Sequence, residues 1–143
     1  MKTEISAGGI IVRKKNDIWE VLVVRDMNNE LTFPKGVVEQ GEDTYTAAVR
    51  EIAEEVGITK VEMILKLPVI RYVYKKTTLI SKTVHYFLFI TKNNEPLTPQ
   101  QEEGIHDPQW MPLDRALQII GYQKTNKPLL LQVKQWTLHP HRT

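Results

Sequence analysis

The chain has 143 residues, 41% of them apolar and 25% charged, with a formal net charge of +2, which predicts one globular domain over 1–143 with one hydrophobic core. The charge suits an anionic small molecule and is too weak to imply a nucleic-acid partner. Absence of cysteine excludes disulfides, thiol catalysis and cysteine-held zinc.

No apolar signal segment opens the sequence at Met1-Lys2-Thr3-Glu4, and apolar runs such as Phe87 to Ile90 are far too short to span a membrane. The expectation is a cytoplasmic protein with no membrane contact. Oligomeric state is left open, because no coiled-coil seam decides it.

Residues 5–13 read as a strand in which Gly8-Gly9 marks a bulge or a close backbone approach. Residues 14–17 read as a hairpin turn, Trp19 to Arg25 as a valine-rich strand, 27–29 as a turn, 31–33 as extended and 34–41 as a loop. Residues 44–56 form the clearest helix, with Asp43 or Thr44 as cap and Gly57 at its C-terminal end. Two longer strands follow over 60–75 and 83–91, then a proline-containing loop over 93–108 and a short strand over 109–111. A short helix over 113–120 ends at Gly121. A last helix over 126–137 has Asn126 as cap and Pro128 in its first turn. Strands interspersed with helices predict a sheet covered on both faces. Trp19, Trp110 and Trp136 read as packing residues, and His139 and His141 as a terminal tail.

The chemistry concentrates between residues 34 and 58. On the 44–56 helix, Tyr45, Ala48, Val49, Ile52 and Val56 form the predicted core stripe. Glu51, Glu54 and Glu55 gather on another face, where like charges three and four apart cost roughly 0.2–0.5 kcal/mol per pair. Glu54 and Glu55 also sit in the last turn, which disfavours anions. A cation is expected to compensate, and hard divalent ions take such oxygen ligands. A solvated acidic face, or an interaction module docking this helix on a basic partner, accounts for the glutamates alone. Neither accounts for Gly36, Glu42 and Gly57 at their spacings.

Gly36, five residues, Glu42, seven residues, then Arg50-Glu51-Ile52-Ala53-Glu54-Glu55-Val56-Gly57-Ile58 resembles the Nudix box at every specified position. The resemblance implies an α/β fold, the Nudix-type α/β/α sandwich with a mixed β-sheet, and a nucleotide polyphosphate substrate. It further implies magnesium, which manganese can replace. Glu51, Glu54 and Glu55 become expected metal ligands, joined by the backbone near Lys35 or Gly36. Arg50 and Glu42 support them, Arg50 by orienting the glutamates, while Gly36 and Gly57 serve backbone geometry. The general base is expected to be Glu51 or a glutamate of the later loop, Glu102 or Glu103. A non-catalytic Nudix domain is the contrasting reading, but such domains usually lose box glutamates.

The flanks bear on substrate. Phe33-Pro34-Lys35-Gly36 departs from oxidised-nucleotide sanitisers, which usually carry a second glycine where Lys35 stands, and resembles asymmetrical diadenosine tetraphosphate hydrolases. Lys82-Thr83-Val84-His85-Tyr86-Phe87 resembles a strand of the same enzymes. The resemblance implies stacking of Tyr86 on adenine, and phosphate contact by Lys35 and by Lys82 or His85. Tyr74 and Tyr72 share one face of the preceding strand; packing or surface roles are the leading reading for them, and a second aromatic platform is the alternative. Ser6-Ala7-Gly8-Gly9 agrees but is widespread in the superfamily. The expected reaction is diadenosine tetraphosphate to ATP and AMP. The alternatives within the superfamily are nucleoside triphosphates, RNA 5′ ends, nucleotide sugars and diphosphoinositol polyphosphates.

Overall fold

The computed structural model describes residues 1–98 and 105–140. Its strands are β1 (Lys2–Lys15), β2 (Ile18–Arg25), β3 (Leu31–Thr32), β4 (Lys35–Val37), β5 (Glu62–Lys66), β6 (Ile70–Lys75), β7 (Leu79–Ile90) and β8 (His106–Pro112). Its helices are α1 (Thr44–Val56), α2 (Leu113–Ile119) and α3 (Gln123–Thr137).

β1 organises the sheet. Along one edge it runs parallel to β7 from Lys2 to Val12. Along the other it changes partner, pairing antiparallel with β4 at Ser6–Gly8 and with β2 at Val12–Lys15. β2 carries β3 and β8, and β7 carries β5 and β6, all antiparallel. The sheet is therefore mixed, as expected.

Period-two alternation sorts side chains onto two faces. Ala7, Ile11, Leu22, Val24, Phe87 and Phe89 pack with Ala47, Ala48, Ile52 and Val56 of α1. Ile10, Val12, Val21, Val23, Tyr86 and Leu88 pack with Leu113 and Ala116 of α2 and with Leu129, Leu130, Val133 and Trp136 of α3. Helices thus cover both faces, completing an α/β/α sandwich. Trp19 meets Trp136 edge-on at 5.3 Å, and Arg13 lies 4.2 Å over Trp110, so all three tryptophans pack.

Several expectations need correction. Residues 60–75 form two strands rather than one, and the 34–41 loop contains β4. The core stripe of α1 is rotated toward Ala47, while Tyr45 is 43% exposed and edge-on to Phe87. α3 begins at Gln123, so Pro128 lies in its second turn. Asn126 is not the cap: its buried amide donates to Thr32 Oγ1 (3.3 Å) and to the Gly121 carbonyl (3.0 Å), tying α3 to β3.

The glycine pair shows why β4 can reach β1. A Cβ on Gly8 would overlap the Pro34 carbonyl and the Lys35 backbone, while one on Gly9 would meet Ile52 and Phe89. The Gly9 amide donates to the Pro34 carbonyl at 3.1 Å. At Gly8 the obstructing atoms are backbone and the Lys35 β-carbon fixed to it, and they yield only if β4 leaves β1. Gly8→Ala is therefore expected to lower stability by about 1–3 kcal/mol in denaturant unfolding. An unchanged midpoint would show that the strands separate without cost.

Candidate metal and phosphate site

Asp43 caps α1 by accepting from the Thr46 amide at 2.7 Å, satisfying one of the helix's free N–H groups. At the other end Gly57 takes φ +80° and donates to the Ala53 carbonyl at 3.0 Å. A residue with a β-carbon would be strained there and would also strike the Thr98 hydroxyl. Glu95 accepts from the Thr59 and Lys60 amides at 3.0–3.1 Å and from the Thr59 hydroxyl at 2.6 Å. The end of the box is thus fastened to the segment entering residue 98.

Within this frame Arg50 is the hub. Its guanidinium bonds Glu42 through two nitrogens at 2.7 and 2.9 Å. Nη1 donates to Glu51 at 2.7 Å and to Glu54 at 3.1 Å, and Nη2 to the Val37 carbonyl at 3.1 Å. Such forked charge-assisted bonds are the strong kind, and a lysine ammonium cannot reproduce the geometry. Glu42 also accepts from the Glu39 amide at 3.0 Å, which closes the loop between β4 and α1. Arg50 is held still more firmly protonated by Glu42 and Glu51.

The three helix glutamates do not share one environment. The side chain of Glu54 is 45% exposed and that of Glu51 10%, whereas Glu55 is fully buried. The carboxyl group of Glu51 lies on the α-carbon of Gly36, where any β-carbon would overlap it. Gly36 is thus needed for close approach.

Magnesium-like ions commonly use one or two carboxylates, completed by phosphate oxygens and water. Glu51 and Glu54 already converge on one cation, the Arg50 Nη1, so the donor set suits a hard divalent ion in kind. Among the described residues no three acidic or histidine side chains gather tightly enough to cage an ion alone. An ion here would draw the rest of its shell from backbone, water or substrate.

A cleft of about 850 Å³ opens on the sheet face that carries α3. Lys35, Tyr72, Tyr74, Lys82 and Tyr86 all line it, as do Thr32, Tyr122 and Asn126. Burial lowers the pKa of Lys35, nearby Lys82 lowers it further, and Glu55 opposes the shift. Glu55 thus acts electrostatically on a cleft residue from α1. Lys82 Nζ pairs with Glu4 at 2.6 Å.

Two aromatic expectations change. Tyr86 is 2% exposed, T-packed on Phe33 at 5.6 Å, and burial drives its phenol pKa strongly upward, partly offset by a hydrogen bond with Thr32. It forms the floor of the cleft and presents no free ring face for a base. Tyr72, 40% exposed, lies beside Tyr74 at 6.2 Å, and Tyr122, 44% exposed, also lines the cleft. His85 falls on the opposite sheet face, its pKa lowered by burial and by Lys66 and Arg71. It does not line the cleft.

Glu102 and Glu103 lie outside the described residues, as does His141. Sequence reasoning missed Glu4, Glu95 and the contact of Tyr122 with Asp26 across the cleft rim, where the phenol donates at 2.5 Å and accepts from Asn28 at 3.2 Å. Positive φ at Tyr122 has no advance signal in a tyrosine.

A family model described as the NUDIX domain matches residues 2–133. The asymmetrical bis(5′-nucleosyl)-tetraphosphatase of Caenorhabditis elegans is 31% identical over 119 residues, covering 82% of this chain and 85% of that protein. The 8-oxo-dGTP diphosphatase of Escherichia coli is also 31% identical, over 94% of this chain and 99% of its own length. Nudix hydrolase 7 of Arabidopsis thaliana is 30% identical, but the match spans only 39% of its length. The crystal structure of a C. elegans Ap4A hydrolase binary complex superposes with TM-score 0.78 at 27% identity, over 94% of this chain and 98% of that one.

Arg50 holds the Glu42 carboxyl at a pKa of about 2, against an ordinary 4.5, with help from the Glu39 amide. A depressed folded value contributes stability that is complete above pH 4.5 and is lost as pH falls toward 2. Wild-type melting temperature is therefore expected to drop more steeply between pH 4.5 and 2 than that of Glu42→Gln. Parallel curves would contradict the role given to this pair.

Proposed function

The chain belongs to the Nudix family, and from that premise we propose that it hydrolyses a phosphoanhydride bond of diadenosine tetraphosphate, releasing ATP and AMP with magnesium as the working ion. The observation that carries the reading is the cleft that Lys35, Lys82 and the partly exposed Tyr72 and Tyr74 line together. Lys35 and Lys82 suit a polyphosphate chain, and Tyr72 and Tyr74 suit a base, since stacking is worth roughly 1–3 kcal/mol and tolerates any base. Lys35 is in the strand that precedes the box and is coupled electrostatically to Glu55, which relates the cleft to α1.

Glu51, Glu54 and Glu55 would hold the divalent ion with backbone oxygen near Lys35 or Gly36. When bound, such an ion neutralises phosphate oxygens and makes water more acidic. The chain's own residues do the rest. Arg50 keeps Glu51 and Glu54 in place. Lys35 and Lys82 align the phosphates. A carboxylate, Glu51, Glu102 or Glu103, takes the proton as the water oxygen bonds to phosphorus and the bridging oxygen leaves with its phosphate.

One second reading has a specific observation behind it. The E. coli diphosphatase matches this chain at the same identity as the nematode tetraphosphatase, and over more of its length. Cleavage of a nucleoside triphosphate is therefore the competing activity. Lys35 favours the dinucleoside reading, because it stands where oxidised-nucleotide sanitisers usually carry a second glycine.

Purified protein incubated with magnesium and a panel of substrates, resolved by ion exchange, separates the two. The panel holds diadenosine tetraphosphate, ordinary and oxidised nucleoside triphosphates, ADP-ribose and a diphosphoinositol polyphosphate. Preferential release of ATP plus AMP from the first is expected. Preferential turnover of a triphosphate would overturn the substrate assignment while keeping the carboxylate chemistry, and no turnover with magnesium or manganese would overturn both.

A further inference from the structure

Glu4 is an anion that adjoins the cleft through two of its lining residues, Lys82 and Tyr74. It stands directly opposite Lys82 on the parallel pair β1 and β7. Its Oε1 accepts from Lys82 Nζ at 2.6 Å and from the Tyr74 hydroxyl at 3.4 Å. The pair is largely sheltered, with side-chain exposures of 13% for Lys82 and 28% for Glu4. The carboxylate's field also reaches Lys35 and Tyr72. Lys82 and Tyr74 line the cleft and Glu4 adjoins both, so the cation at this end is already matched.

We infer that Glu4 is a specificity-determining residue that works against a terminal phosphate at the tyrosine end of the cleft. This rests on the reading of the cleft as a polyphosphate site. A terminal phosphate carries about −1.5 to −2 near pH 7, because its second ionisation falls near pH 6, whereas a phosphate bridging two others carries a single charge. Repulsion by a fixed carboxylate grows with that charge. A phosphate chain capped by a nucleoside instead presents hydroxyl and amino donors, which a carboxylate accepts. Selectivity therefore comes from a repulsive element against the competitor. The class favoured is a polyphosphate esterified at both ends over one with a free phosphate end.

Calorimetric binding of inorganic tripolyphosphate and of diadenosine tetraphosphate in metal-free buffer tests this on wild type, Glu4→Gln, Lys82→Met and the double variant. Glu4→Gln is expected to tighten tripolyphosphate by about tenfold, ~1.4 kcal/mol. It should change the dinucleotide by no more than about twofold, ~0.4 kcal/mol. The gain should persist or grow when Lys82→Met is already present, because the carboxylate then lacks the cation that neutralises it. An unchanged tripolyphosphate affinity, equal gains for both probes, a gain that vanishes in Lys82→Met, or no tripolyphosphate binding to wild type or Glu4→Gln would overturn the inference. Failure of the substrate assignment is read separately, from turnover of the panel, because tripolyphosphate binding does not depend on which nucleotide is cleaved.

Discussion

One guanidinium sets the geometry around which the site is built. Arg50 joins Glu42, Glu51, Glu54 and the Val37 carbonyl, so the loop before α1 and two of the helix carboxylates share one partner. Without that cation the carboxylates would repel one another, and Glu42 and Glu51 would be sheltered charges without compensation, a costly arrangement. The same contact explains why helix physics is overridden here. Acidic residues near the C-terminus of a helix are unfavourable alone, and Arg50 compensates one of them, Glu54, together with Glu51 one turn earlier. The arrangement resembles an ion site with the guanidinium as one of its cations, leaving the carboxylates organised before any divalent ion arrives.

The cleft depends on a different constraint, the partner change of β1. Because β1 pairs with β4 over Ser6–Gly8 and with β2 only from Val12, the strand leading into the box is laid beside the N-terminal part of the sheet. Gly8 permits the contact, and Lys35 follows directly from it. Parallel pairing with β7 then sets Glu4 against Lys82. The second relation does not exist without that long-range parallel register. Tyr122 and Asn126 bring the start of α3 to the opposite rim, through Asp26 and Thr32. Three remote parts of the chain therefore meet at one cleft, each held by hydrogen bonds that are identifiable residue by residue.

Legibility in the sequence followed locality. α1 could be read to its ends because its cap, its periodicity and its terminal glycine are all local signals, and its boundaries came out at Thr44 and Val56. The box was legible for the same reason. The start of α3 was not, since Asn126 has a good cap's chemistry but is turned inward to Thr32, a partner 94 residues away. Tyr86 was assigned a ring face that strand alternation cannot guarantee, because alternation gives the side and not the depth. It did put Lys82, Val84 and Tyr86 on one side together. Glu4 carried no local signal at all, since its meaning comes from Lys82, 78 residues on.

The central claim is that the Arg50-held carboxylates form a divalent-cation site. Titration of manganese followed by electron paramagnetic resonance, on wild type and Glu54→Gln, addresses it without reference to any substrate. Wild type should bind manganese and the variant about tenfold or more weakly, in line with losses seen when metal-site support is removed. Equal manganese affinity in the two proteins would contradict the account and place the ion elsewhere.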